Sequence, residues 1–283
     1  MKSPWYLVAL FTLGSSLAFA GEAQGFPAYI DSDLCSRLML GPISMTRVEC
    51  SQQTVKDGAL PVAVRLKDNL VFEVNKHKML KEHVGKLAEV TGEAKPNEGR
   101  MKLESVKPLE QSAIPAGDAS RRLLDVRMYR TAGSDKIHEK IRHELAMMPY
   151  LAEFDYISFT TIGNDVILSG WTLRSTNRST AANLAKDIEG VERVVNNIEV
   201  LPLGRNDMQI RAAARANLQK FLSRYFWGSG SDIKIIVKNG NIILLGTVAT
   251  KADSDIAYIQ CNSVRGAFKV FNMLHVNPAR AKS

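Results

Sequence analysis

The hexapeptide Asp165-Val166-Ile167-Leu168-Ser169-Gly170 returns as Asn241-Ile242-Ile243-Leu244-Leu245-Gly246, at an offset of 76 residues (170 to 246). The same offset persists downstream: Gly190 matches Gly266, Val194 matches Val270, Asn196 matches Asn272 and Val200 matches Val276. A register held without a gap over this distance marks an internal duplication, and each copy is then one supersecondary unit.

Both copies follow one grammar. An amphipathic helix comes first, with Ile137, Ile141 and Leu145 in one copy and Ile210, Ala214 and Leu218 in the other at i, i+4 spacing. A strand follows at 156–160 or 233–237, then a tight turn at Gly163-Asn164 or Asn239-Gly240. Asn-Gly suits a type I′ hairpin, because both residues tolerate positive φ. The strand ending in Gly170 or Gly246 leads to a second helix, 177–189 or 253–264, and a closing strand, 194–200 or 270–276. Glycine at the strand end is expected where the chain turns toward a helix.

This pattern resembles the BON family (bacterial OsmY and nodulation). The likeness rests on the glycine-ended strand and on the run Gly190-Val191-Glu192-Arg193-Val194-Val195-Asn196, which the second copy varies as Gly266-Ala267-Phe268-Lys269-Val270-Phe271-Asn272. It covers residues 134–277. The resemblance implies an α+β fold with two tandem modules, 134–203 and 204–277, each with two helices on a three-stranded mixed sheet. It also implies attachment to membranes or other envelope parts, phospholipid binding and a link to osmotic or envelope stress tolerance.

The remainder of the chain is read from the residues. Lys2, an apolar run from Trp5 to Leu13 and the small residues ending in Ala18-Phe19-Ala20 form a secretory signal peptide, 1–20, with cleavage expected after Ala20. The run is broken by Gly14-Ser15-Ser16 and is too short for a spanning helix. A periplasmic or otherwise exported location is expected on that basis. There a cysteine pair is normally oxidised, so Cys35 and Cys50 form the candidate disulfide, while Cys261 falls in a helical apolar pattern as a small buried hydrophobe.

Residues 21–58 read as a loop-rich lead-in. Residues 59–110 show period-two alternation in four short segments, the third ending in a Val90-Thr91-Gly92 turn, and predict a small β domain that is OB-like. Residues 111–133 read as a linker, with a basic run at Arg121, Arg122, Arg127 and Arg130.

Net charge is +8. In an exported protein that balance suits anionic lipid headgroups or acidic polymer, and no nucleic-acid partner is expected. The five histidines show no metal-ligand spacing with cysteine and no serine partner, and no phosphate-cradling loop is present. No enzyme activity, cofactor or metal is expected.

The candidate lipid contact is the helix opening the second copy. It carries Arg211 and Arg215 at one edge of its apolar stripe and Lys220 and Arg224 at the other, and it runs into Tyr225-Phe226-Trp227. Cations beside an apolar face with aromatics at one end suit a lipid interface, the contact residues being Arg211, Arg215, Lys220, Arg224, Phe226 and Trp227. The alternative is that the stripe, with Phe221 and Leu222, simply covers the module's own sheet. Trp171 is open to the same two readings, surface contact or packing against the neighbouring module, and Met147 and Met148 read as gap-filling core. At the level of function, an anionic phospholipid surface competes with envelope proteins as partner, the second case making the chain a periplasmic or outer-envelope adaptor.

Overall fold

The computed structural model describes residues 24–40, 42–114, 124, 134–226 and 231–277. The signal segment, its cleavage point and the basic run at 121–130 lie outside the described residues. Among the described residues no helix is long and apolar enough to cross a membrane.

Residues 24–56 are not loop-rich, as the sequence suggests. They form strand β1 (Gln24–Ser32) and helices α1 (Asp33–Leu38) and α2 (Met45–Lys56). Four more strands follow, β2 (Pro61–Arg65), β3 (Val71–Val74), β4 (Leu87–Lys95) and β5 (Arg100–Pro108), with the short helix α3 (His77–Leu80) between β3 and β4. They close into a barrel in the order β1-β2-β3-β5-β4, with β4 returning to β1. Strands β3 and β5 pair parallel, with Glu73 opposite Arg100 and Val74 opposite Met101, whereas the other described pairs of the barrel are antiparallel.

Val90-Thr91-Gly92 is not a turn. It lies inside β4, where the register to β5 shifts between Thr91 and Gly92. A Cβ at Gly92 would lie 2.2 Å from the Lys102 carbonyl oxygen, so the bulge needs a residue without one. The barrel interior is filled by Ala28, Ile30, Ala63, Phe72, Leu80, Val90 and Leu103.

Helix α2 turns a polar stripe inward. Arg47, Ser51 and Thr54 are its buried residues, and they meet Asp31 and Ser32 at the end of β1. Arg47 Nη2 lies 2.8 Å from Asp31 Oδ2, Ser51 Oγ donates to Asp31 Oδ1, and Thr54 Oγ1 donates to Ser32 Oγ. Each buried polar group therefore has its partner, the condition on which a polar helix face can be buried at all.

Cys35 of α1 and Cys50 of α2 are bonded, with Cα atoms 6.1 Å apart. Replacing both by alanine is expected to cost about 3 kcal/mol, the loop-closure value for a loop of this length. A shift in the urea midpoint measures it, and a shift worth less than about 1 kcal/mol would show that α1 and α2 are held by their polar contacts alone.

The first repeat comprises α4 (Ser134–Ala146), β6 (Tyr156–Ile162), β7 (Asp165–Thr172), α5 (Ser175–Lys186) and β8 (Arg193–Val200). The second comprises α6 (Arg205–Leu222), β9 (Ile233–Lys238), β10 (Asn241–Val248), α7 (Lys251–Asn262), β11 (Lys269–Asn272) and β12 (His275–Val276). The central strand β7 pairs antiparallel with β6 and parallel with β8, and β10 pairs antiparallel with β9 and parallel with β11 and β12. Helices α4 and α5 cover one face of the first sheet through Ile137, Ile141, Leu145, Ala181 and Ala185. Helices α6 and α7 do the same in the second through Ile210, Ala214, Leu218, Ala257 and Cys261. Burial pushes the Cys261 thiol up to about 12, so it stays protonated and inert.

Gly170 and Gly246 do not end their strands, contrary to the sequence expectation. Each strand runs two residues further, and both glycines have positive φ, 117° and 107°. A Cβ at either would lie 1.9 Å from a carbonyl oxygen, that of Tyr156 at the start of β6 or that of Asp232 just before β9. The repeat keeps glycine because two backbones approach at that point.

Candidate functional site

A sheet with helices on one face leaves the other face to be covered. Here one buried cluster joins both open faces to helix α1 of the N-terminal unit. Leu34 of α1 packs in one cluster with Trp171 and Leu201 from the first module and Ile236, Ile243, Leu245 and Phe271 from the second. Trp171 is fully buried there, which decides for module packing and against a surface contact. Asn197 of β8 ties the first module to the barrel directly, accepting from Val71 N at 3.1 Å and donating to Asn69 O at 2.8 Å.

Beside this apolar cluster lies an ion cage built from all three parts. Lys238 Nζ of β9 contacts Asp33 Oδ2 of α1 at 2.9 Å, Glu73 Oε1 of β3 at 2.6 Å and Glu199 Oε1 of β8 at 2.8 Å. Its three protons meet three carboxylates. Arg37 completes the cage through Asp33 at 2.9 Å and Glu199 at 3.1 Å, and its Nη1 donates to Asn197 O. The carboxylates of Asp33, Glu73 and Glu199 lie close enough together to hold a metal ion. Here the Lys238 ammonium already supplies their cation.

Burial opposes the charge on Asp33, but Arg37 and Lys238 outweigh it and hold the carboxyl well below its usual range. Burial also opposes the charge on Lys238, and the carboxylates of Asp33 and Glu199 overcome it to raise the ammonium. For Glu199 burial prevails over Arg37, and its carboxyl stays above the usual value.

The helical layer of the second module remains outside. Its residues divide the predicted lipid contact. Arg211 is buried, and its Nη2 donates to Val237 O at 2.6 Å and Pro202 O at 3.1 Å. It closes the end of edge strand β9 and has no route to a headgroup. Arg215 Nε bridges to Glu153 of the first module at 2.7 Å. Phe226 packs against the module's own core. Trp227 lies outside the described residues.

Arg224 is exposed but engaged, bridging to Asp253 and lying 4.9 Å from the Tyr225 ring centre. Lys220 stays in solvent, its ammonium 5.4 Å from the centre of the Phe221 ring. Phe221 is 51% exposed and Ile259, on the adjacent helix, 59%. The two helices are joined by Asn217 Nδ2 donating to Gln260 O, one turn from Phe221 and next to Ile259.

The alternative reading puts Phe221 in the stripe that covers the module's own sheet, and the reading of an apolar helical pattern around Cys261 does not set Ile259 apart; the structure exposes both. The signal for Ile259 is present in Ile256-Ala257-Tyr258-Ile259, since four successive apolar residues on a helix cannot all face one sheet. Met147 and Met148 separate in the same way, Met148 into the core and Met147 into solvent.

Comparison with known proteins defines the family. The BON domain model matches residues 134–202 and 207–278. The second half of the chain is a tandem pair of BON domains.

Among curated proteins, the chain is 26% identical over 161 residues to a 21 kDa hemolysin of Actinobacillus pleuropneumoniae, covering 56% of this chain and 82% of that one. It is 33% identical over 114 residues to the outer membrane lipoprotein DolP of Haemophilus influenzae, covering 38% of this chain and 58% of that one. A solved structure of CdsD, a structural protein of the type III secretion system of Chlamydia trachomatis, aligns over 52% of this chain and 95% of its own at 14% identity. Its TM-score is 0.22, which carries no argument. The BON matches begin at residue 134, so the barrel and the helices that dock it lie outside the family assignment.

Proposed function

We propose that this chain is a non-catalytic envelope protein, exported with cleavage after Ala20, that rests on anionic phospholipid through the helical layer of its second BON domain. One observation carries the reading. Helix α1 beside the barrel packs into one cluster with the open faces of both BON sheets, and the helical layer left outside presents Phe221 and Ile259 to solvent, with the exposed cation of Lys220 over the Phe221 ring. Exposed apolar side chains bordered by lysine and arginine suit the headgroup boundary, where rings sink and charges meet phosphate. The relatives named as an outer membrane lipoprotein and as a hemolysin are consistent with work at membranes. The barrel's strand order, closed β1-β2-β3-β5-β4 with a helix between β3 and β4, is consistent with an OB-like domain, used here to hold the BON pair in one arrangement.

The test is co-sedimentation of the chain lacking residues 1–20 with anionic and zwitterionic vesicles, at two salt concentrations. Selective binding that weakens with salt is expected. Phe221→Ser with Ile259→Ser should weaken it by about tenfold or more, and Lys220→Gln by about fivefold, near the 1 kcal/mol that one cation gains at an anionic surface. Binding to neither vesicle type would overturn the proposal, and retention by a particular envelope protein would put the adaptor in its place.

A further inference from the structure

We propose that the membrane contact extends onto the first BON domain, through the turn that follows α4. This inference rests on the lipid reading of the second domain. In that turn Met147 is 69% and Tyr150 76% exposed. Tyr150 has a φ of 66°, a left-handed conformation that a bulky side chain rarely adopts. The Arg174 guanidinium lies 5.9 Å from the centre of the Tyr150 ring. Each module therefore presents an exposed ring with a cation over it, Tyr150 with Arg174 in the first and Phe221 with Lys220 in the second.

The two rings are held on one structural frame. Just past Tyr150, Ala152 O accepts from Lys234 Nζ at 3.2 Å and Glu153 O accepts from Ile235 N at 2.7 Å. The Glu153 carboxylate also bridges to Arg215 of α6. Arg215 and Lys220 are five residues apart, about 140° around the helix, so the turn is fixed to the edge of α6 away from Lys220. Cation-topped rings thus flank α6 on both sides. Their chemistry fits one occupant, an anionic bilayer surface, with the rings at the acyl boundary and the cations at the phosphates.

The test uses the chain lacking residues 1–20 and vesicles containing phosphatidylglycerol. In the double variant Tyr150→Gly, Met147→Ser, glycine accepts the left-handed angle at no steric cost. The melting temperature should hold or rise while vesicle affinity falls by about tenfold, two side chains leaving the interface. Separately, Tyr150→Trp should be quenched by brominated lipid. Wild-type affinity in the double variant, with no quenching at position 150, would overturn the inference and leave the second-module contact standing. A change of mass in the lipid-free protein on making the double variant would overturn it too, since the turn would then join two copies. If the unaltered chain ignores vesicles, the underlying lipid reading is what falls.

Discussion

Lys238→Met is expected to destabilise the chain by about 3–5 kcal/mol at neutral pH, the cost of removing one partner from a buried ion group. The ammonium is mostly buried and touches carboxylates from three separate parts of the fold. Methionine fills similar volume but leaves Asp33, Glu73 and Glu199 facing one another with Arg37 as the cation the cage retains.

The pH dependence makes this specific. In the native chain Asp33 is lowered, so its contribution is present above the ordinary carboxylate value near 4 and is lost as pH falls through its depressed folded value. Glu199 is raised, so its charged form costs stability at neutral pH and that cost disappears on acidification. Without Lys238 both carboxyls lose a cation that lowers them and titrate higher in the folded state. The penalty of the variant should therefore shrink between pH 7 and about pH 4.5. Paired urea titrations at the two pH values measure it, and a penalty that is small or independent of pH would show that Lys238 adds packing rather than charge balance.

Trp171→Ala is expected to cost about as much, 3–5 kcal/mol, by opening a cavity where three parts of the fold meet. Trp171 is fully buried among Leu34, Leu201, Ile236, Ile243, Leu245 and Phe271, with the Arg37 guanidinium 5.9 Å from its ring centre. Its indole Nε1 has no hydrogen-bond partner among the described residues. The side chain therefore contributes through shape and apolar area, and Trp171→Phe should retain most of the stability that alanine loses. Thermal or urea unfolding of the two variants separates these outcomes. Equal losses for phenylalanine and alanine would mean that the full shape of the indole, and not apolar area in general, is what the site requires.

The repeat is legible in the sequence because it stabilises itself locally. Ile137, Ile141 and Leu145 recur at helical spacing, and Asn239-Gly240 makes its turn with φ of 51° and 77°, angles that both residues tolerate. The part that escapes such a reading depends on contacts distant in sequence. Helix α2 buries Arg47, Ser51 and Thr54, so it shows no apolar period, and Pro27 inside β1 disguises a strand. The lipid candidates divide for a related reason. Ile210, Ala214 and Leu218 identify the inner face of α6, but the burial of Arg211 depends on the position of Val237 O, which no spacing within the helix reveals.

The Lys238 cage also sets an order of assembly. Lys238 and Asp33 are 205 residues apart in the chain, whereas the barrel closes within its own segment. Contacts so distant in sequence form late, because a long loop must be closed before they return any stability. The barrel precedes the second module in the chain and can fold while that module is still being made. Until Lys238 arrives, Trp171 and the apolar side of the first sheet lack their full cover, and the half-folded chain is then most exposed to aggregation. Docking of the last module ends that interval, so a mutation that weakens the cage is expected to lower the yield of folded protein more than the stability of the finished molecule would indicate.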